Sequence, residues 1–334
     1  MKPVAGLGWR SLAVGLAATL ALALGGCGEA GRRTPPAQEI VFAILPAEGQ
    51  AAVEPLWKPF LDDMSRAVGA PVTARFGSSY AELVEAMERG DVQAAWFSAQ
   101  PAIAVIDQAD AEVLARTVDP TGEDSYRAVL IARAGSGVDL ERAVACDRSL
   151  RLGLGDEGST SGRLAPMAFL FEPQRVDPDR CFASVRTANH QDNATAVAAG
   201  ALDLAATNSV TVAALAQRNP QLATQIQEIW RSGPIPEGAV VARGDLDPAT
   251  KEKMRGFLLS YGQGDSIEAG RQRQTLAALG YSRFRDADEA YLDPVREMMA
   301  VQALAGARRR GDRAAVRAAE QQLQKLRVSR EVQP

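Results

Sequence analysis

Leu152-Gly153-Leu154-Gly155-Asp156-Glu157-Gly158-Ser159-Thr160-Ser161-Gly162 joins a short apolar run to a segment of glycines and hydroxyl side chains. The apolar run predicts a buried strand, and the pattern of residues 163–171 predicts a helix after it. The first backbone N–H groups of a helix lack partners within the helix, and the helix dipole places partial positive charge there. Because glycines let a ligand approach the backbone closely, this strand–loop–helix unit predicts a pocket for a small anion.

The same segment has two other interpretations. Ser and Thr are common helix N-caps, so an ordinary capped turn would also explain Ser159-Thr160-Ser161. A hydrolase nucleophile elbow requires Gly-x-Ser-x-Gly, whereas the central residue of the glycine-bounded segment is Thr160. The spacing therefore disfavours a nucleophile elbow and leaves the capped turn and the anion pocket as alternatives.

Outward from this unit, short apolar runs alternate with helical patterns. The runs predict strands at residues 40–45, 72–76, 94–97, 111–115, 126–133, 152–155, 183–186, 202–206, 226–230 and 238–243. Helical spacing is found at residues 53–67, 80–89, 103–109, 163–171, 193–199 and 210–217, and the chain is expected to be helical from 248 to 302. Such alternation is typical of parallel sheets covered by helices on both faces.

Two clusters of this alternation, joined by two extended crossings, predict an α/β fold of two lobes with a ligand cleft between them. We expect lobe 1 to comprise residues 39–132 and 240–302, and lobe 2 to comprise residues 133–239. A body of this length can form two separate cores. Residues 303–334 are rich in Arg, Ala, Glu and Gln, which predicts a charged, solvated helical tail or, alternatively, a helix that binds a partner.

The N-terminus has the pattern of a secretion signal. Lys2 and Arg10 precede an apolar run over residues 11–24, which is too short to span about 30 Å of hydrocarbon. The run ends in Leu24-Gly25-Gly26-Cys27, which resembles the bacterial lipobox, where cleavage leaves the cysteine as a lipid-bearing first residue.

We therefore expect a lipoprotein signal peptide at residues 1–26 and acylation of Cys27. Residues 27–38 are polar and contain prolines, which suits a flexible tether between the lipid and the folded domain. The mature protein would be lipid-anchored on the periplasmic side of a bacterial membrane. The alternative is a plain signal peptide with an incidental cysteine.

The net charge excludes broad classes of partner. The chain has 37 basic and 41 acidic residues, and loss of Lys2 and Arg10 with the leader changes its formal net charge from −4 to −6. Nucleic acids and anionic membrane surfaces require basic patches, so we expect the chain to bind neither of them. Any selectivity for an anion then has to arise locally.

The cysteines point to an oxidising compartment. With Cys27 lipidated, Cys146 and Cys181 remain as an even pair, which favours a disulfide between them over two buried free thiols. The spacings typical of structural zinc are absent from the sequence, so no metal site is expected.

The single histidine of the chain is a second candidate anion ligand. His190 lies in Ala188-Asn189-His190-Gln191-Asp192-Asn193, directly after a predicted strand. If this strand neighbours the one before Ser159, the histidine lies level with the hydroxyl segment. An imidazole can donate N–H to an oxyanion. The alternative is a histidine in a surface loop.

Several spaced segments together resemble the phosphonate- and phosphite-binding proteins of ABC importers. These are Gly155-Asp156 with Ser159-Thr160-Ser161-Gly162, Asn189-His190 with Asn193 and Ala196-Val197-Ala198, and Asp203-Leu204-Ala205-Ala206-Thr207-Asn208-Ser209. The segments Tyr80-Ala81-Glu82-Leu83-Val84-Glu85-Ala86 and Asp124-Ser125-Tyr126-Arg127 fit the same family, and the resemblance runs from about Ile40 to Leu292. It implies a type II periplasmic-binding-protein fold that closes around its ligand.

The resemblance also implies roles for individual residues. By position, Ser159, Thr160, Ser161 and His190 would bind the phosphonate oxygens, and Tyr80 and Tyr126 would line the lobe 1 side. Asn208 stands where aminophosphonate-binding members carry a carboxylate for the substrate ammonium. A buried ammonium requires a charged partner, so Asn208 favours phosphite, methylphosphonate or phosphate as ligand. Glu237 in the return crossing could supply a carboxylate instead, which keeps aminophosphonates as an alternative.

The aromatic residues near the predicted cleft have two interpretations. We expect Trp57, Trp96, Phe42 and Phe97 to be core residues. Trp96 and Phe97 are possible exceptions, because the end of their strand would face the cleft.

The function implied by the resemblance is that of a substrate-binding lipoprotein of an ABC transporter for phosphonate, phosphite or a similar small phosphorus oxyanion. Its partners would be this ligand, the permease and ATPase subunits, and the lipid bilayer through Cys27. One alternative is a periplasmic anion sensor of the same fold that signals to a membrane partner. Another is a secreted enzyme acting on a phosphate ester, although no catalytic set is recognisable. We expect no enzymatic activity, no cofactor and no metal.

Overall fold

The computed structural model describes residues 39–332, except residues 46 and 48. The predicted signal peptide at residues 1–26, the tether at 27–38 and the lipid site Cys27 lie outside the described residues. Within the described part of the chain, no helix combines the length and the apolar character that crossing a membrane requires.

The secondary structure alternates between strands and helices. The strands are, in chain order, β1 (Ile40–Ile44), β2 (Val72–Phe76), β3 (Ala94–Phe97), β4 (Glu112–Val118), β5 (Ser125–Tyr126), β6 (Ala128–Arg133), β7 (Arg151–Leu154), β8 (Ser184–Thr187), β9 (Leu204–Asn208), β10 (Ile226–Arg231), β11 (Ile235–Pro236), β12 (Ala239–Ala242) and β13 (Arg283–Arg285). The α-helices are α1 (Gln50–Val68), α2 (Tyr80–Glu88), α3 (Ala99–Ala109), α4 (Leu140–Val144), α5 (Pro178–Cys181), α6 (His190–Ala198), α7 (Ser209–Arg218), α8 (Pro220–Ala223), α9 (Pro248–Ser260), α10 (Ile267–Leu279), α11 (Asp293–Arg310) and α12 (Arg313–Val332). Two π-helical segments, Thr160–Leu164 and Met167–Phe171, follow β7, and a 3-10 helix, Glu289–Leu292, precedes α11.

The strands form two main sheets, one in each lobe of an α/β fold. The first sheet has the strand order β13-β4-β12-β3-β1-β2, and the second has the order β10-β6-β9-β7-β8. A short ribbon of β5 and β11 lies in the two crossings between the sheets. The predicted two-lobe fold is thus confirmed.

The expected parallel pairing is found in part of each main sheet, and the sheets as a whole are mixed. β1 is parallel to β2 and β3, and β7 is parallel to β8 and β9. In contrast, β12 is antiparallel to β3 and β4, and β6 is antiparallel to β9. β6 and β12 each follow a crossing, so they start at the cleft edge of a sheet where the parallel strands end. β13 is also reversed, since it is antiparallel to β4, but it follows α10.

Each main sheet is buried on both faces. In β1, Phe42 and Ile44 face one core while Ala43 faces the other. In β6, Leu130 and Ile131 likewise belong to different cores. A strand covered on both faces has apolar residues at successive positions. This is why the sequence predicts these strands from continuous apolar runs and not from alternating apolar and polar residues.

The strand pairing bears on where the second lobe begins. Ala128–Arg133 forms β6 and pairs with β9 and β10 of the second sheet, whereas the sequence division assigned residues up to 132 to lobe 1. The lobe limits stay a prediction, and this pairing favours a start of lobe 2 before residue 128.

The C-terminal region is less uniform than the sequence indicates. The expected helical stretch from 248 to 302 is interrupted by β13, which pairs with β4 at the edge of the first sheet. Helix α11 continues through residue 303, and α12 folds back along it after Gly311, whose φ is 67°. On α12, Leu323 and Leu326 are buried, so part of the predicted tail packs rather than being fully solvated.

Candidate functional site

A small cavity of about 130 Å³ lies between the two main sheets. Its walls come from both lobes and include the predicted site residues Tyr80, Tyr126, Ser159, Ser161, His190 and Asn208, together with Ser98, Glu237, Trp57, Trp96 and Tyr281. A cavity of this size suits a ligand with only a few heavy atoms.

The cavity is built from helix starts. Five helical segments follow the carboxyl ends of strands, and the N-cap or first residue of each lines the cavity: Tyr80 of α2, Ser98 before α3, Ser159 before the first π-helical segment, His190 of α6 and Asn208 before α7. The first N–H groups of a helix have no partner within the helix, and the positive end of the helix dipole lies at each of these starts. Caps and cross-lobe bonds engage at least one such N–H at each start, including those of Glu82, Gln100, Gly162, His190 and Thr211. The convergence of these starts favours a bound anion over a neutral ligand or a cation.

The hydroxyl segment is buried at this convergence. Ser159, Thr160 and Ser161 are all nearly inaccessible to solvent. The Ser159 Oγ accepts a bond of 3.0 Å from the Gly162 N–H, so Ser159 caps the π-helical segment while it also lines the cavity. The capped turn and the anion pocket, posed as alternatives by the sequence, therefore coexist in one segment.

Thr160 is placed differently from its neighbours. Its hydroxyl accepts a bond of 2.9 Å from the Gln100 N–H and donates to the Ser98 Oγ at 3.3 Å. Thr160 is absent from the residues that line the cavity in the described part of the chain. The geometry therefore gives the Thr160 hydroxyl a role in joining the two lobes, whereas the resemblance implied a direct ligand contact.

Two glycines hold the loop closed at this point. The Gly155 N–H donates to the Gly162 carbonyl at 2.8 Å, and a Cβ on Gly162 would lie 2.9 Å from the Gly155 Cα. The same Cβ would lie 3.0 Å from the His190 Cε1. Only glycine fits this approach, so the loop and the histidine are packed against each other.

His190 is buried at the start of α6 and is not a surface loop residue. Its N–H donates to the Ala47 carbonyl at 3.2 Å, a contact between the lobes. Burial lowers the pKa of the imidazole to about 4, so it is neutral at neutral pH. Its Nδ1 has no hydrogen-bond partner among the described residues, which leaves it available to a ligand.

Two tyrosines connect lobe 1 to the hydroxyl segment. Burial raises the pKa of both phenols well above its usual value, so both keep their protons. Ser159 acts to lower the pKa of the Tyr80 phenol, and Ser161 and Thr160 act to lower that of Tyr126, so both phenols lie close to the hydroxyl segment. Together with the Gln100 and His190 contacts, this proximity describes a closed cleft.

Both ends of the Asn208 amide are bonded to the fold. Its Oδ1 accepts a bond of 2.7 Å from the Thr211 N–H and so caps α7. Its Nδ2 donates to the Ser161 Oγ at 3.4 Å. The cap determines the orientation of the amide, and the donor side faces the hydroxyl segment.

The carboxylate considered as an alternative lies in the same cavity. Glu237 follows β11, is 4 % exposed and lines the cavity wall. Burial, and to a smaller extent the charges of Asp119 and Asp124, raise the pKa of this carboxyl to about 8, against a bond from the Gly238 N–H and a contact with Thr117. Its Oε1 has no partner among the described residues.

Comparison with known proteins assigns the family. The sequence profile described as ABC transporter, phosphonate, periplasmic substrate-binding protein matches residues 42–292. The chain is 32 % identical over 258 residues to the phosphonates-binding periplasmic protein of Escherichia coli K12, covering 77 % of this chain and 75 % of that protein. The chain belongs to the family of periplasmic phosphonate-binding proteins of ABC transporters.

Solved structures agree with this assignment. The binding-protein component of an ABC phosphonate transporter from Pseudomonas aeruginosa superposes with a TM-score of 0.82 at 32 % identity, covering 88 % of this chain and 99 % of that one. A Prochlorococcus marinus protein, PhnD1, solved with methylphosphonate, has a TM-score of 0.69 at 19 % identity, covering 78 % of this chain and 96 % of that one, and shares the fold.

Some cavity residues were missed by the sequence analysis or only partly anticipated. Trp57 and Trp96 line the cavity as well as the core, whereas Phe97 is fully buried in the core. Tyr281 and Ser98 were not anticipated. The available signal was the position of Ser98 directly after a predicted strand, the same position relative to a strand that singled out His190.

Residues outside the cavity complete the predicted set. Cys146 and Cys181 are brought together by α4 and α5 and are joined by a disulfide, with a Cα–Cα distance of 4.1 Å. No group of His, Cys, Asp and Glu side chains arranged to hold a metal ion is found among residues 39–45, 47 and 49–332.

Proposed function

We propose that this chain is a substrate-binding lipoprotein that captures a small phosphorus oxyanion, such as a phosphonate or phosphite, for an ABC importer. The observation that carries the proposal is the convergence of five helix starts on a cavity of about 130 Å³. Unpaired N–H groups hold an anion without requiring a full positive charge, because their partial charges are fixed by the fold.

The side chains support the same ligand class. Hydroxyls of Ser159, Ser161, Tyr80 and Tyr126 and the neutral imidazole of His190 surround the helix starts and can donate to several oxygens at once. A tetrahedral oxyanion presents oxygens in several directions, which matches donors that arrive from both lobes. The cross-lobe bonds of Gln100 and His190 support closure on the ligand by a hinge motion.

Delivery of the ligand would involve a permease and an ATPase. We propose that an acylated Cys27 holds the protein at the membrane, where it releases the oxyanion to the permease. Mass spectrometry of the N-terminal peptide tests this anchor: we expect cleavage before Cys27 and acyl chains on it, and an unmodified Cys27 would contradict the anchor without affecting ligand binding.

Calorimetry tests the ligand class. We expect the protein to bind at least one of phosphite, methylphosphonate, phosphate and 2-aminoethylphosphonate, to gain thermal stability with it, and to release no product. His190→Ala removes one donor to a charged oxygen, and we expect the affinity to fall by about 10- to 150-fold. Binding of methanesulfonate together with no binding of any phosphorus compound would refute the proposal.

A further inference from the structure

One region of the cavity is not used by the proposed oxyanion contacts. It consists of Trp57, Trp96, Tyr281 and Glu237, which we call the substituent wall. A phosphonate carries an organic group on phosphorus in addition to its oxygens. The chemistry of the substituent wall should therefore identify that group.

The substituent wall contains a donor and an acceptor that both lack partners. The Trp96 Nε1 and the Glu237 Oε1 are buried atoms without a hydrogen bond among the described residues. A Cβ built on Gly238 would lie 2.9 Å from the Trp96 Nε1, so this N–H lies beside the residue that follows Glu237. Leaving such groups unsatisfied is costly, which indicates that a ligand pairs with them.

Neighbouring rings hold Trp96 in place. The ring of Trp57 lies with its centroid 6.0 Å from that of Trp96, and the ring of Tyr281 lies at 5.9 Å. Gly238 provides the space for the indole edge, because any larger residue would meet it at 2.8 Å. The unpaired N–H is therefore part of a rigid surface and cannot rotate away to find another partner.

A hydroxyl is the small substituent whose chemistry matches both atoms, because it can accept one hydrogen bond and donate another. Its oxygen accepts from the Trp96 N–H, and its proton is donated to the Glu237 carboxylate. The raised pKa of Glu237, about 8, favours a protonated carboxyl near neutral pH. In that state the carboxyl donates its proton to the second lone pair of the hydroxyl oxygen. An ammonium group only donates and leaves Trp96 unpaired, whereas an alkyl group leaves both atoms unpaired.

We propose that the physiological ligand is a phosphonate with a short hydroxyalkyl substituent, whose hydroxyl pairs with Trp96 and Glu237. This inference rests on the proposed function, because it uses the oxyanion contacts to place the phosphorus group. It names the substituent, and it assigns Trp96 as a specificity-determining residue.

The test is calorimetry with three probes of equal length: 2-hydroxyethylphosphonate, 2-aminoethylphosphonate and ethylphosphonate. We expect the wild-type full chain, purified from detergent-solubilised membranes, to bind the hydroxyl compound about 5- to 150-fold more tightly than ethylphosphonate. We also expect the amino compound to bind less tightly than the hydroxyl compound.

Variants separate a hydrogen bond from a general loss of packing. Trp96→Phe should remove most of the difference in affinity between 2-hydroxyethylphosphonate and ethylphosphonate. Trp230→Phe makes the same substitution at a partly buried tryptophan that does not line the cavity, and it should leave that difference unchanged. Glu237→Gln should weaken 2-aminoethylphosphonate more than the hydroxyl compound. A bound ammonium would favour the ionised carboxylate, which glutamine cannot supply, whereas a hydroxyl can still bond to the glutamine amide.

The outcomes distinguish this inference from the proposed function. If ethylphosphonate binds as tightly as 2-hydroxyethylphosphonate to the wild-type protein, the substituent inference is wrong and the proposed function stands. If 2-aminoethylphosphonate binds most tightly, the wall recognises an ammonium and the inference is also wrong. If none of the three probes binds but methanesulfonate does, the proposed function itself fails.

Discussion

Replacing Gly162 with alanine tests the packing that joins the hydroxyl segment to the histidine. The added Cβ would lie 2.9 Å from both the Gly155 Cα and the Ser159 Oγ, and 3.0 Å from the His190 Cε1. Carbon atoms in contact normally lie about 3.5–4.0 Å apart, so the loop has to move. Overpacking of this kind costs about 1–3 kcal/mol of folding free energy.

Gly256→Ala is the matched control, because Gly256 lies inside α9 and a Cβ there would meet nothing within 4 Å. Replacing glycine with alanine in a helix stabilises the helix by about 1 kcal/mol. Because both variants make this replacement, the difference between their free energies of unfolding reports mainly the steric cost at Gly162. Urea unfolding should show Gly162→Ala to be less stable than Gly256→Ala by about 1–3 kcal/mol.

Ligand binding provides the second measurement on the same pair. Displacement of Ser159 and His190 should weaken methylphosphonate binding to Gly162→Ala by about 10-fold or more, the loss expected from one charge-assisted hydrogen bond. Gly256→Ala should bind as the wild type does. Equal stability and equal affinity of the two variants would show that the packing argument is wrong.

Two further predictions concern titration and covalent structure. The pKa of Glu237 is raised from its ordinary 4.5 to about 8, so the unfolded chain binds fewer protons than the folded one between these values. The free energy of unfolding should therefore fall as pH rises through this window, by roughly 5 kcal/mol in all. Glu237→Gln should remove most of that fall in urea unfolding, and an unchanged slope would argue against a buried carboxyl. Non-reducing peptide mapping should recover Cys146 linked to Cys181, and reduction should destabilise the fold by about 4 kcal/mol for a loop of 35 residues; two free thiols in protein exported to the periplasm would contradict the pairing.

Local features of the sequence were sufficient to predict several residues that line the cavity. A strand, a glycine-rich turn and a helix start are specified by neighbouring residues, so Ser159, Ser161 and His190 could be proposed without knowing the tertiary fold. The continuous apolar runs of β1 and β6 were recognisable for a similar reason, since their burial on both faces leaves no polar alternation.

Long-range pairing accounts for what the sequence did not reveal. The direction of β12 depends on where the chain re-enters the first sheet, and nothing within Ala239–Ala242 encodes it. β13 is Arg-Phe-Arg, which has too few apolar residues to signal a strand and forms only by pairing with β4. Gln100, whose N–H bonds to the Thr160 hydroxyl, lies 60 positions earlier in the chain. Local sequence therefore cannot predict this pair, because it forms only when the two lobes pack together.

The cap formed by Asn208 has a consequence for how selectivity can change among relatives. Asp caps a helix about as well as Asn, so Asn208→Asp would keep α7 anchored through Thr211 while replacing an amide donor with an anionic oxygen beside Ser161. The charge preference of the cavity can therefore change by a single substitution that keeps the helix cap. The folding cost of that substitution would come from burying the new charge, which a cationic substituent would offset. Relatives could differ in their preference for neutral or cationic substituents through this position, while the hydroxyl segment proposed to bind the phosphorus oxygens stays the same.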